Sequence, residues 1–253
     1  MSSRAAILLR IAVMLGIYFG LSRYGGQWGW KILYPVRIFV TYLHEFGHAI
    51  GAVITGGKVL SVTIDPNGGG VTWTSNGSRA VIIMGGYLGS ALFGNMLFYT
   101  GAKWPRAVRP ALLLLIFTML ITGVIWYKTL FTTGILFFFS AVLFVIGFKT
   151  KFGREVLMFL GLASVLYIIQ DTAHGPSSDL RAFEKELKFL PAQLWMYIWL
   201  TAALGILALN ARMLWHEGDS KDETPPKNGK KGQDPDPDSG PDPKPKKKKY
   251  SYL

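Results

Sequence analysis

The chain contains no cysteine. That absence removes disulfides, thiolate metal ligands and a cysteine nucleophile together, and it leaves the redox compartment open. Acids are scarce too: 15 Asp and Glu stand against 27 Lys and Arg. Residues 1–216 hold 18 of the basic residues and only 7 of the acids, so the positive excess belongs to this part of the chain and not to the nearly balanced last 37 residues. Basic residues at the ends of apolar runs serve membrane topology and contact with anionic headgroups, so the charge indicates a lipid bilayer as partner and not nucleic acid. Histidine is rare as well, with 4 in the whole chain, which makes its placement informative.

What the chain does have is apolar bulk. Half of its residues are hydrophobic, 14% are aromatic and the mean hydropathy is +0.30. The apolar residues fall in blocks at 5–21, 32–54, 80–99, 111–126, 130–148, 156–169 and 192–214. Blocks of this length predict an all-α polytopic membrane protein with six to seven transmembrane helices, the lower number holding if the first block is a signal peptide. No small-x-small cleavage site follows that block, only Ser22-Arg23-Tyr24-Gly25-Gly26, so a retained helix is expected.

Between residues 58 and 75 the period changes to two. Leu60, Val62 and Ile64 alternate with Ser61 and Thr63, Val71 and Trp73 alternate with Thr72 and Thr74, and Pro66-Asn67-Gly68-Gly69-Gly70 separates them. That pattern predicts a small β-hairpin inserted in a membrane-embedded domain spanning 1–216. Residues 217–253 are rich in Pro, Asp and Lys and poor in apolar residues, the composition of a disordered tail. The loops after the first, third and fifth blocks carry Arg23 and Lys31, then Lys103, Arg106 and Arg109, then Lys149, Lys151 and Arg154. By the positive-inside rule the expected arrangement is a multi-pass protein of the cell (plasma) membrane with its tail in the cytoplasm.

The second block is unusually polar. It contains His44-Glu45-Phe46-Gly47-His48. On a helix, residues four apart differ by about 40° in azimuth, so both histidines project from one face and can share a metal ion, with Glu45 beside them as a base for a metal-activated water. Chance placement of 4 His and 6 Glu gives such a pentapeptide on the order of once in a thousand chains. Each ionisable group at mid-membrane also costs about 3 kcal/mol on insertion scales, which a bound metal would compensate.

His44-Glu45-Phe46-Gly47-His48-Ala49 in a span, then a Gly-rich hairpin, then Gly85-Gly86-Tyr87-Leu88-Gly89, resembles the site-2 protease clan of intramembrane zinc metallopeptidases, and most closely its peptidase M50B-like family. The resemblance implies a metalloendopeptidase that cleaves membrane-protein substrates within or near their transmembrane segments. It implies Zn2+ on His44 and His48, Glu45 as general base, and a hairpin that holds an extended substrate through Val62, Ile64, Val71 and Trp73. It also implies an aspartate ligand from a later helix. In typical members that residue stands in an Asp-Gly pair, and this chain has none. Asp171, at the end of an apolar block, is the first choice. Asp179, in Ser177-Ser178-Asp179-Leu180, is the alternative, unless it merely caps a short helix. Asp65 at the hairpin turn comes third, and His174 is close enough to Asp171 to join it. Gly85, Gly86, Gly89 and Gly94 have the spacing of helix packing, and Asn95 is either a carbonyl-polarising group or an interhelical hydrogen bond. The contrasting function is a non-proteolytic scaffold or chaperone-like relative that keeps the metal site.

Overall fold

A computed structural model describes residues 3–172 and 175–222, with side chains for 8–170 and 175–213. Each apolar block folds as a helix. In chain order the elements are α1 (Ser3–Tyr24), α2 (Gly26–Ile54), β1 (Lys58–Ile64), β2 (Gly70–Ser75), α3 (Arg79–Lys103), α4 (Val108–Ile125), α5 (Leu130–Lys149), α6 (Gly153–Thr172), α7 (Ser178–Leu187) and α8 (Ala192–Asp222). Their ends have local causes. Gly26 adopts φ +51, which lets α2 start two residues after α1 stops. Thr129 caps α5 by accepting the Thr132 N–H at 3.2 Å, and Ser177 caps α7 by accepting the Leu180 N–H at 3.4 Å. Asp179 is therefore not the cap of α7.

Five helices are long and apolar enough to cross a membrane: Arg79–Lys103, Pro105–Ile125, Leu130–Lys149, Gly153–Gln170 and Ala192–Met213. Their outer faces expose large apolar side chains, among them Leu114, Phe117, Val124 and Phe138, which only a lipid solvent tolerates in such number. The chain is an integral membrane protein. With 22 and 29 residues, α1 and α2 also have the length of a span, about 33 and 43 Å at 1.5 Å per residue. In α2 Lys31, Arg37, His44, Glu45 and His48 lower the hydropathy, and α1 has described side chains only over 8–24, so five spans are counted among the described residues where the block pattern counts six or seven. At the other end α8 runs through Asp222, past the expected start of the tail at Glu217; residues 223–253 lie outside the described residues.

The centre of the bundle is α3, and small residues let its neighbours approach it. A Cβ on Gly47 of α2 would collide with the Gly85 carbonyl, and one on Gly51 would lie 2.8 Å from the Val81 carbonyl. On the α6 side a Cβ on Gly94 would lie 2.8 Å from the Gly161 carbonyl. Arg154 then closes the C-terminal end of α3 by donating to the carbonyls of Gly101 at 2.7 Å and Ala102 at 2.6 Å. Asn210 of α8 donates to the Asn95 Oδ1 at 3.1 Å, so Asn95 serves the interhelical role expected as one of its two alternatives.

The hairpin is antiparallel and pairs Val62 with Thr72, Thr63 with Val71 and Ile64 with Gly70. A bulge between Val59 and Ser61 shifts the register at Leu60 and leaves that residue exposed while Val62 and Ile64 are buried. The outer edge of β1 is already occupied. The Val62 N–H donates to the Trp126 carbonyl at 3.1 Å, and Thr132 bonds both the N–H and the carbonyl of Ile64, at 2.9 and 3.2 Å. Among the described residues the outer edge of β2 has no such backbone partner, so the hairpin presents one open edge.

Candidate metal centre

The two histidines sit one helical turn apart on α2, and their imidazoles converge. His44 Nε2 and His48 Nε2 are 3.1 Å apart. Asp179 arrives from α7, with its Oδ2 at 2.8 Å from His44 Nε2 and 3.2 Å from His48 Nε2. One ring nitrogen has a fixed role. His48 Nδ1 faces the Ile82 carbonyl at 2.7 Å, and since a carbonyl only accepts, Nδ1 carries the proton. In the neutral ring the His48 Nε2 then directs a lone pair at the point where the carboxylate oxygen also points.

Convergence of acceptors on one point calls for a cation. Tetrahedral zinc with bonds of 2.0–2.1 Å separates its ligand atoms by about 3.3 Å, close to the spacings found here, and two imidazoles with a carboxylate form a donor set suited to zinc. His44, His48 and Asp179 are the metal-holding cluster among the described residues. Burial by itself would raise the Asp179 carboxyl, but hydrogen bonds and positive charge from the neighbouring His44 and His48 rings, when these are protonated in the metal-free site, outweigh it and hold the group well below the usual carboxylate range.

Glu45 lies beside this cluster and belongs to a different set of contacts. Its Oε2 accepts the Thr72 hydroxyl of β2 at 2.6 Å, and the residue is only 4% exposed. Thr72 therefore ties the hairpin to the carboxylate. A cavity of about 490 Å³ joins the parts, lined by His44, Glu45, His48 and Asp179 and by Gly70, Val71, Thr72 and Thr74 of β2. A second cavity reaches His44, Glu45 and Asp179 from among Val40, Thr41, Tyr87, Tyr167 and Ile168.

Of the residues expected from sequence, His44, Glu45, His48 and the alternative Asp179 come together. The backbone of Asp171 lies in the last turn of α6, but its side chain, and His174 altogether, lie outside the described residues. Asp65 is exposed at the turn and is not part of the cluster. The four hairpin side chains divide. Val71 and Trp73 are exposed at 41% and 58%, whereas Val62 and Ile64 are 1% exposed, so these last two pack into the core and offer no surface to a substrate. Their expected contact role is corrected on that ground: the β1 face that carries them is turned inward.

Three contributors escaped the sequence reading. Thr72 looked like one polar residue of an alternating strand. The Ile82 carbonyl, which orients His48, is backbone and carries no sequence signal. Gly86 was visible as part of a packing stripe, yet its role is narrower. A Cβ there would collide with the His48 ring and lie 2.7 Å from His44 Cε1. Gly86→Ala is thus expected to destabilise the protein by about 1–3 kcal/mol of overpacking and to lower bound zinc although no ligand is altered. Thermal melts beside metal analysis check this; unchanged zinc would show that the rings do not need the recess.

Together, a helical membrane bundle and a His-Glu-x-x-His helix whose histidines meet a distant aspartate define a membrane protein of the metallopeptidase kind. The family model described as Peptidase M50B-like matches residues 7–210, and the chain belongs to that family. Neither a curated protein nor a solved structure matches it.

Proposed function

We propose that this chain is a zinc-dependent intramembrane endopeptidase that cleaves membrane-protein substrates within or near their transmembrane segments. The observation that carries the reading is the convergence of His44, His48 and Asp179 beside a carboxylate, Glu45, that Thr72 holds separately. Zinc on those three residues would supply Lewis acidity, which acidifies a water and polarises a peptide carbonyl. Glu45 is placed to take a proton from a water that attacks the carbonyl carbon and to pass it to the departing nitrogen, so one water is added, the C–N bond breaks, and a carboxylate and an amine result. Thr72 keeps Glu45 aimed at the cavity. The open edge of β2 suits an extended guest chain, because a substrate that has left its helix needs backbone partners inside the membrane.

Metal analysis tests the reading. Protein purified without chelator is expected to hold about one zinc per chain, and His44→Ala should lose most of it. Zinc-free wild type would sink the proposal. The chain is placed in the cell membrane, and the basic loops further support a C-terminal tail in the cytoplasm. A C-terminal reporter that works only in the cytoplasm should then be active, and activity of an outside-only reporter would reverse the orientation.

A further inference from the structure

The metal cavity continues beyond the metal. Past the end of β2 its wall includes Asn76, Gly77 and Arg79, and Arg79, Ser178 and Ala182 also line a second cleft, on α7. The charged groups of that cleft are Arg79, Arg181, Lys185 and Glu186. Glu186 is engaged by Arg79 at 3.5 Å. Arg181 and Lys185 are exposed, stand four residues apart on one face of α7, and have no carboxylate partner in the ion pairs of the described residues. At the Gly70 end of β2 the adjoining cavity contains no Lys or Arg, and besides His44, Glu45 and Asp179 it is lined by Val40, Thr41, Tyr87, Ser90, Tyr167 and Ile168. A chain lying along β2 thus meets a mixed wall without cations at one end and an excess of positive charge at the other.

Resting on the endopeptidase reading above, we propose that the α7 cleft selects membrane-protein segments that carry aspartate or glutamate just outside the bilayer. Thr72 marks the reacting position, because it holds Glu45, and β2 ends three residues later at Ser75. At about 3.3 Å per residue, a guest chain paired with β2 enters the cleft about three to six residues from its scissile bond. Continuity with β2 favours a peptide over a lipid headgroup, since pairing delivers successive residues into the cleft in register and a headgroup has no such guide. Exposed cations act mainly by steering and by screened attraction, so the preference is modest and sensitive to salt.

Full-length Glu45→Gln protein, loaded with zinc and reconstituted in phosphatidylcholine nanodiscs, provides a binding test without cleavage. The probe is a fluorescent peptide of about 20 Leu and Ala residues with a central Gly pair, flanked on one side by Asp residues, beside a twin flanked by Lys. The Asp peptide should bind roughly tenfold more tightly at low salt, and the advantage should shrink as the Debye length falls toward about 3 Å at 1 M salt. Arg181→Glu with Lys185→Glu should invert the preference. Arg181 also donates to the Pro176 carbonyl at 3.2 Å, so Lys185→Glu alone, which breaks no hydrogen bond, guards against a misfolded α7 and should give an intermediate shift. Equal binding of the two peptides overturns the proposal, as does a preference that the double reversal leaves unchanged. A reversal that alters only the response to added phosphatidylglycerol would reassign the cleft to lipid headgroups and also defeats it. Failure in any of these ways leaves the endopeptidase reading standing, because that reading falls on zinc content and not on peptide charge.

Discussion

Glu45→Gln is expected to abolish cleavage of a tagged membrane substrate while leaving zinc content near wild type. The geometry separates the two readouts. Glu45 is bonded to Thr72 and stands outside the cluster of His44, His48 and Asp179, so an amide in its place disturbs none of the three. Nor can the amide take a proton from water, and it lacks the charge that would steady a protonated leaving amine. A positioned acid or base contributes about 10²–10⁴ in rate, or about 3–5 kcal/mol of barrier, enough to take a slow membrane cleavage below detection. Equal cleavage by wild type and Glu45→Gln would refute the assignment of the base. A variant that kept full biological function would favour a scaffold that retains the metal without using it.

The second large effect concerns the third ligand. Asp179→Ala is expected to lower zinc affinity by at least the 10–100-fold, roughly, that loss of an outer partner of a metal ligand costs, since here a direct ligand goes. Asp179 lies within hydrogen-bond reach of both imidazoles, and its carboxylate is the only acid in their cluster among the described residues. Because Ser177, not Asp179, caps α7, the substitution should spare the helix start. Asp171→Ala should leave zinc near wild type. Measured zinc that falls with Asp171→Ala and survives Asp179→Ala would return the ligand to the end of α6.

How much of this was legible in the sequence depended on the distance over which each relation acts. His44, Glu45 and His48 were readable because one helix, with its fixed turn, carries all three. The blocks of apolar residues were readable for the same reason, and the helices follow them to within a few residues except in α2, whose start at Gly26 rests on a left-handed glycine six residues before the apolar block, and in α8, which continues eight residues past its block to Asp222. Asp179 is 135 residues from His44, and only the packing of α7 against the bundle brings the two together. Depth in an apolar block pointed to Asp171, a local cue for a relation that is not local. The hairpin shows the same limit. Its existence and ends were plain from the turn residues, but β1 is buried on both faces from Ser61 to Ile64 while Val71 and Trp73 of β2 stay exposed, a difference set by what packs on each strand and not by the alternation.

The attachment of β1 has a mechanical consequence. Thr132 grips Ile64 by both backbone groups, and the Trp126 carbonyl holds Val62, so the strand is riveted to the α4–α5 connection. The wall of the cavity that carries Thr72 inherits that stiffness. The opposite wall, α7, is bounded by Gly175 at φ +94 and Lys188 at φ +53, and packs through Leu180 and Phe183. A load on the cavity therefore has to break the Trp126 and Thr132 bonds before it can shift Thr72 against Glu45.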